Sequence, residues 1–166
     1  KSFTGTATAC FECPTGKFQE FNALSSAQCK FCTAGKEFTT KATQCSDCDI
    51  GQYQHENSGD SVSCNFCAAG FAFQTKVEAC FECVHGQYQT QSTTASVTCL
   101  SCSTGQFTAA KEAGCKICDN GKFQELPAAV TYMCKNCPAG FAFATTSTVC
   151  IECSNGKYQF SSSTAG

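Results

Sequence analysis

The chain has 166 residues, a formal net charge of −2 and 18 cysteines, against only three Leu, three Ile and six Val. Ordering a residue costs about 1–2 kcal/mol of backbone entropy. So little aliphatic surface, at roughly 25 cal/mol/Å² of burial, excludes a conventional core and calls for covalent cross-links. All eleven basic residues are lysines interspersed with acids, so there is neither a basic stripe nor an arginine fork, which excludes nucleic acid as a partner.

In chain order, residues 1–9 of "KSFTGTATAC" align with "GKEFTTKATQC" (35–45) and read as a short unit that lacks its Cys-x-x-Cys-x-x-Gly start. Cys-x-x-Cys pairs then begin at residues 10, 29, 45, 64, 80, 99, 115, 134 and 150. The steps alternate between 19 and 16, so a long and a short unit make a 35-residue repeat. The expected division is a truncated short unit at 1–9, repeats at 10–44, 45–79, 80–114 and 115–149, and a truncated long unit at 150–166. That last unit stops two residues before its closing cysteine, so a cysteine is expected three residues past Gly166 if the chain continues.

Each second cysteine is followed by glycine three residues on, from Gly16 and Gly35 through Gly156. This placement predicts a turn with positive φ or a close backbone approach. An aromatic follows. Long units read Gly-[Lys/Gln]-[Phe/Tyr]-Gln with Phe18, Tyr53, Tyr88, Phe123 and Tyr158; short units place Phe38, Phe73 and Phe143 one residue later, and Phe107 breaks the shift. Each aromatic reads as a lid over its own unit's disulfide, on a short strand leaving the turn. A weaker 70-residue period ("AAGFAF" at 68–73, "PAGFAF" at 138–143) sets Phe11, Phe71, Phe81, Phe141 and Ile151 apart. Either a two-repeat block was duplicated, or these residues form a contact stripe recurring along one side.

The simplest cysteine pairing joins the second of each pair to the first of the next. The pairs are Cys13 to Cys29, Cys32 to Cys45, Cys48 to Cys64, Cys67 to Cys80, Cys83 to Cys99, Cys102 to Cys115, Cys118 to Cys134 and Cys137 to Cys150. Cys10 and Cys153 are left for inter-unit or intermolecular disulfides. Crossed pairing stays open on sequence alone. Zinc is the rival reading, since two Cys-x-x-Cys pairs resemble a zinc ribbon, but ribbons need a boundary between sites and this array runs evenly. A redox motif wants one pair at a helix start. Disulfides are therefore expected, with no metal and no cofactor, and they place the chain outside the cell or on its surface.

Other chemistry is thin. His55 and His85 have no periodic partner and read as exposed. Glu12, Asp47, Glu82 and Glu152 recur in the pairs, some near Lys17 or Lys157, as surface charges; calcium would need several oxygen ligands per site. No nucleophile, base and orienting acid recur together, so no catalytic residue is expected. The near-sequon Asn65-Phe66-Cys67 uses a cysteine assigned to a disulfide. Thr (20) and Ser (16) gather in "TQSTTASVT", "ATTSTV" and "FSSSTAG", which are solvated turns or carriers of O-linked glycan. No membrane span is present in the window.

The pattern Cys-x-x-Cys-x-x-Gly-x-aromatic, seen in "CPTGKFQ" (13–19) and "CPAGFAF" (137–143), resembles the ephrin-receptor-like cysteine-rich repeat, a relative of tumour-necrosis-factor-receptor modules. It is also similar to tandem Cys-x-x-Cys surface antigens of protists. The resemblance implies a small disulfide-rich fold of short β-hairpins and turns, strung into an elongated tandem-repeat rod. Receptor modules mix their cysteine spacings; this array is monotonous. Monotony favours an extracellular structural protein, self-associating to form or decorate a filament, stalk or surface coat, and not an enzyme. The alternative is a receptor or adhesin ectodomain binding a protein or glycan partner.

Overall fold

A computed structural model describes residues 10–22, 27–129 and 133–162. The unit expected at 1–9 and the tail at 163–166 lie outside the described residues. No helix occurs among those described; the regular structure is seven two-stranded hairpins. They pair β1 (Lys17–Phe18) with β2 (Lys30–Phe31), β3 (Lys36–Glu37) with β4 (Ser46–Asp47), and β5 (Phe71–Ala72) with β6 (Phe81–Glu82). They continue with β7 (Gln87–Tyr88) and β8 (Leu100–Ser101), β9 (Gln106–Phe107) and β10 (Lys116–Ile117), β11 (Lys122–Phe123) and β12 (Lys135–Asn136), and β13 (Phe141–Ala142) and β14 (Ile151–Glu152). At the equivalent place in unit 45–63, Tyr53 and Asn65 form a single antiparallel bridge.

The second strand of every hairpin is the two residues inside a Cys-x-x-Cys pair. Residues three apart on an extended segment face opposite ways, so one sulphur of a pair turns back and the other forward. Eight disulfides follow that logic: Cys13–Cys29, Cys32–Cys45, Cys48–Cys64, Cys67–Cys80, Cys83–Cys99, Cys102–Cys115, Cys118–Cys134 and Cys137–Cys150. Their sequence separations are 16 and 13 in alternation, and loops of this size are each worth about 3 kcal/mol in the chain-entropy account.

The first strand leaves a turn. In the opening unit the Lys17 N–H donates to the Pro14 carbonyl at 3.1 Å, and Gly16, at the third turn position, has φ +79°. This is a type II turn, which requires positive φ there. The same bond recurs from Lys36 to Thr33 through Lys157 to Ser154.

The chain forms two compact bodies. The first holds the described residues of Lys1–Cys67 with Phe73–Phe81 and Thr93–Val97. Its apolar cluster joins Phe18, Cys32, Cys45 and Val62, with Phe38 packed alongside. Phe38 thus covers the bridge of its own unit, as expected. Phe18 clusters with Cys32 and Cys45, the bridge of the following unit.

The second body holds Ala68–Ala72, Glu82–Ser92 and the described residues of Thr98–Gly166. There the largest fully buried side chain is not aromatic but Gln124, at 0% exposed, while Tyr158 is 84% exposed. Tyr158 stands in the unit whose Cys153 is joined to no other cysteine, so it has no bridge of its own to cover; Phe123 is buried at 4% exposed, and the Gln124 amide is buried beside it in sequence.

Candidate interaction surface

Three backbone contacts tie unit 29–44 to the next. The Gly35 N–H donates to the Gln54 carbonyl at 2.7 Å, the Cys48 N–H returns to the Gly35 carbonyl at 2.9 Å, and the Phe38 N–H donates to the Val62 carbonyl at 2.8 Å. Gly70 with Gln89 and Cys83, and Gly105 with Gln124 and Cys118, repeat the first two. The residue three after each glycine is therefore the joint. In long units it is glutamine, buried at Gln19, Gln54, Gln89 and Gln124. The Gln124 Oε1 accepts from the Leu126 N–H at 2.5 Å and its Nε2 donates to the Gln106 carbonyl at 3.3 Å. Gln89 does the same for Gln91 and, at 2.8 Å, for Phe71. These glutamines were missed as functional positions, although their recurrence after the aromatic is written in the sequence.

A fourth contact reaches two units along. A Cβ on Gly16 would lie 2.5 Å from the Asp60 Cα, one on Gly51 2.6 Å from the Ser96 Oγ, one on Gly70 2.6 Å from the Lys111 carbonyl carbon, and one on Gly86 2.7 Å from the Ala128 carbonyl carbon. Ser61, Ser96, Lys111 and Ala128, at or beside these contact points, are the non-glycine residues with positive φ among those described, between 53° and 64°. Each left-handed residue costs about 1–2 kcal/mol and is set against a glycine that alone leaves it room. At Gly105 the neighbours are Thr146 and Ser147, so these hydroxyl-bearing residues of "ATTSTV" face another unit.

Charges form a parallel ladder. Lys41 meets Glu12 at 3.6 Å and Lys111 meets Glu82 at 2.6 Å, each lysine one unit beyond its acid. The equivalent Lys76 donates to the Cys48 carbonyl beside Asp47, and Asp47 is held by Lys36 at 2.7 Å. In the fourth repeat both members are neutral, Ile117 and Thr146. Lys17, expected near an acid, lies instead over the Phe31 ring, 4.2 Å from its centroid. The hydrogen bond from Lys36, and then its charge, holds the Asp47 carboxyl below its ordinary range. Glu20 is lowered too, chiefly by its own backbone amide and then by Lys30.

Of the stripe residues, Phe11, Phe81, Phe141 and Ile151 are exposed and Phe71 is half-buried. The β13–β14 hairpin carries Phe141 opposite Glu152 and Ile151 opposite Ala142. Between Phe71 and Phe73 stands Ala72, fully buried, so the two rings flank the inward position of β5. Cys10 is exposed and Cys153 half-buried, and neither is joined to another cysteine. His55 stacks on Tyr53, ring centroids 5.9 Å apart; His85 is exposed. Among the described residues no three His, Cys, Asp or Glu gather as a metal ion would require, and no helix is long and apolar enough to cross a membrane.

Residues 70–114 match the family described as tyrosine-protein kinase ephrin type A/B receptor-like. No curated protein matches the chain. The cysteine-rich module of the matched family is a non-catalytic type of domain. That match and the regular series of disulfides support, at residues 70–114, a cysteine-rich repeat of the ephrin-receptor-like kind, a disulfide-stabilised module of an extracellular type, and the same disulfide spacing recurs through the described residues on either side.

Proposed function

We propose that the chain is an extracellular structural repeat protein that forms or decorates a filament, stalk or surface coat. The observation that supports this reading is the docking of Gly16, Gly35, Gly51, Gly70, Gly86 and Gly105 onto backbone or side chains two units along. A contact that recurs at the same offset from one unit to another is what a fibre needs and a single recognition site does not. On this reading the working divisions are the 35-residue repeats at 10–44, 45–79, 80–114 and 115–149. The exposed Phe11, Phe81, Phe141 and Ile151, with Phe71, supply lateral self-association, and Cys10 and Cys153 link neighbouring units or chains. O-linked glycan sits on exposed Ser and Thr turns. Electron microscopy of the native material tests the proposal: regular polymers are expected, and isolated short rods would reject it.

A second reading, a receptor or adhesin ectodomain, is favoured by one local feature. The loop at 55–63, "HENSGDSVS", carries a histidine and two acids where the equivalent loop at 90–98, "TQSTTASVT", carries neither. Binding of a soluble partner by isolated rods is the outcome that reading expects.

A further inference from the structure

That loop makes a hollow. The stacked rings of Tyr53 and His55, inclined at 26°, stand over a space of about 200 Å³ that is also lined by Gln54, Glu56, Asp60 and Asn65. Glu56 folds back over Gly59, where a Cβ would collide with its carboxylate and lie 2.6 Å from the Val62 Cγ1. Glu56 and Asp60 enter no ion pair among the described residues, as is also true of Glu37, Asp49, Glu78 and Glu152, but here two such carboxylates line one hollow. No lysine lines the hollow.

Beneath it, Gln54 is 4% exposed. Its Oε1 accepts from the Glu56 N–H at 2.5 Å, but its Nε2 is buried without a partner. The equivalent amides of Gln89 and Gln124 are satisfied by Phe71 and Gln106. A buried donor left unpaired is costly, and here it lies in the long unit whose loop also carries the paired rings and the carboxylates outside any ion pair.

We propose that this hollow binds one neutral pyranose sugar ring. A pyranose offers a flat face of C–H groups to an aromatic pair, hydroxyl hydrogens to the two carboxylates in charge-assisted bonds, and hydroxyl oxygens to an amide donor. An anion meets two uncompensated carboxylates. A metal ion lacks the ligand cluster. An alkylammonium satisfies rings and carboxylates but, being only a donor, leaves the Gln54 amide unpaired. The space is smaller than the roughly 300–1,000 Å³ of drug-sized sites and takes a single ring. The site is independent of whether the array polymerises.

The test is a titration of the ¹⁵N-labelled, disulfide-bonded chain, followed by amide chemical shifts. Probes are the methyl glycosides of glucose, galactose, mannose and N-acetylglucosamine, with butylammonium chloride and sodium phosphate in parallel. At least one glycoside should shift amides within residues 53–65 saturably, with a Kd of about 1–10 mM. Asp60→Asn and His55→Ala, both at exposed side chains, should each weaken binding about fivefold or more, and His85→Ala should not. The proposal is overturned if no glycoside saturates, if only butylammonium or phosphate does, if the shifts fall elsewhere, or if both variants bind as tightly as the parent.

Discussion

Ser96 stands over Gly51 with both residues on the left-handed side of φ, at +54° and +79°, and the Ser96 N–H reaches the Gly51 carbonyl at 3.4 Å. The pair joins units that share no disulfide, so it is a non-covalent tie laid across the covalent ladder. Gly51→Ala should then carry two costs. One is the left-handed penalty of about 1–2 kcal/mol; the other is a Cβ 2.6 Å from the Ser96 Oγ and 2.7 Å from the Ala95 carbonyl carbon. Gly156→Ala meets nothing within 4 Å and carries only the first. Denaturant midpoints of the oxidised variants should separate the two clearly, and equal losses would remove the docking contact from the account.

The partner side of the contact gives the converse experiment. Ala128 has φ +53° and its N–H donates to the Cys102 carbonyl at 2.8 Å. Replacing it by glycine relieves backbone strain while keeping that bond, at a cost of about 0.5–1 kcal/mol in unfolded-chain entropy. Ala128→Gly should be neutral within about 1 kcal/mol. Ala128→Val puts a β-branched residue in the left-handed region and should destabilise by about 2 kcal/mol or more. Thermal scans under non-reducing conditions measure both, and a harmless valine would contradict the assigned backbone.

The hairpin and disulfide architecture was legible because the cysteine spacing carries it: two residues between cysteines suit a two-residue strand, and a glycine three residues on suits a type II turn. What the residues did not disclose was the reach of the glycines. Their partners include Ser61, Ser96, Lys111 and Ala128, which share no side-chain character, only a backbone conformation. Buried glutamine was hidden for a different reason. Hydrophobic reasoning assigns the interior to rings, whereas here the joint between units exposes unpaired backbone groups that an amide satisfies and a ring does not. At Phe18 the ring packs with Cys32 and Cys45, the bridge of the following unit, a contact that spacing alone does not disclose.

The ion-pair ladder predicts a small, salt-sensitive effect. Lys41, Glu12, Lys111 and Glu82 are each about half exposed or more, and exposed pairs contribute about 0.2–1 kcal/mol. Installing the missing rung with Ile117→Glu and Thr146→Lys together should yield a coupling of about 0.2–0.5 kcal/mol in a double-mutant cycle, fading in 1 M salt. A coupling absent at low salt would mean that Ile117 and Thr146 are not equivalent to Glu82 and Lys111. Acid should weaken the array modestly. Asp47 and Glu20 are depressed in the folded chain, so their contribution is present above the ordinary carboxyl range and disappears as pH falls through and below it. Lys36→Met should abolish the Asp47 part of that loss in an acid titration of stability.

Cross-link chemistry sets the largest effect. With loops separated by 13 or 16 residues and each bridge worth about 3 kcal/mol, reduction should unfold the described hairpins altogether, because Leu, Ile and Val are too few to hold a reduced core. A chelator such as EDTA should change nothing. Circular dichroism and hydrodynamic radius before and after each treatment decide the matter; retention of structure in the reduced chain would undo the energetic account.

Gln124 offers the most local test of the joint between units. Its side chain is fully buried and fills two backbone valences at once, the Leu126 N–H and the Gln106 carbonyl. Gln124→Leu keeps the volume but strands both groups, and each unpaired buried group costs about 1–3 kcal/mol, so a loss of about 2–4 kcal/mol is expected. Gln124→Glu keeps the acceptor for Leu126 but sets a carboxylate oxygen against the Gln106 carbonyl. This exchange of a donor for a charge should therefore cost at least as much at neutral pH and recover as the carboxyl takes up a proton, which then donates to that carbonyl. Stability measured from pH 7 down to pH 4 distinguishes the cases: the leucine variant should track the parent, and the glutamate variant should converge on it. A leucine variant as stable as the parent would mean that the amide fills space and nothing more.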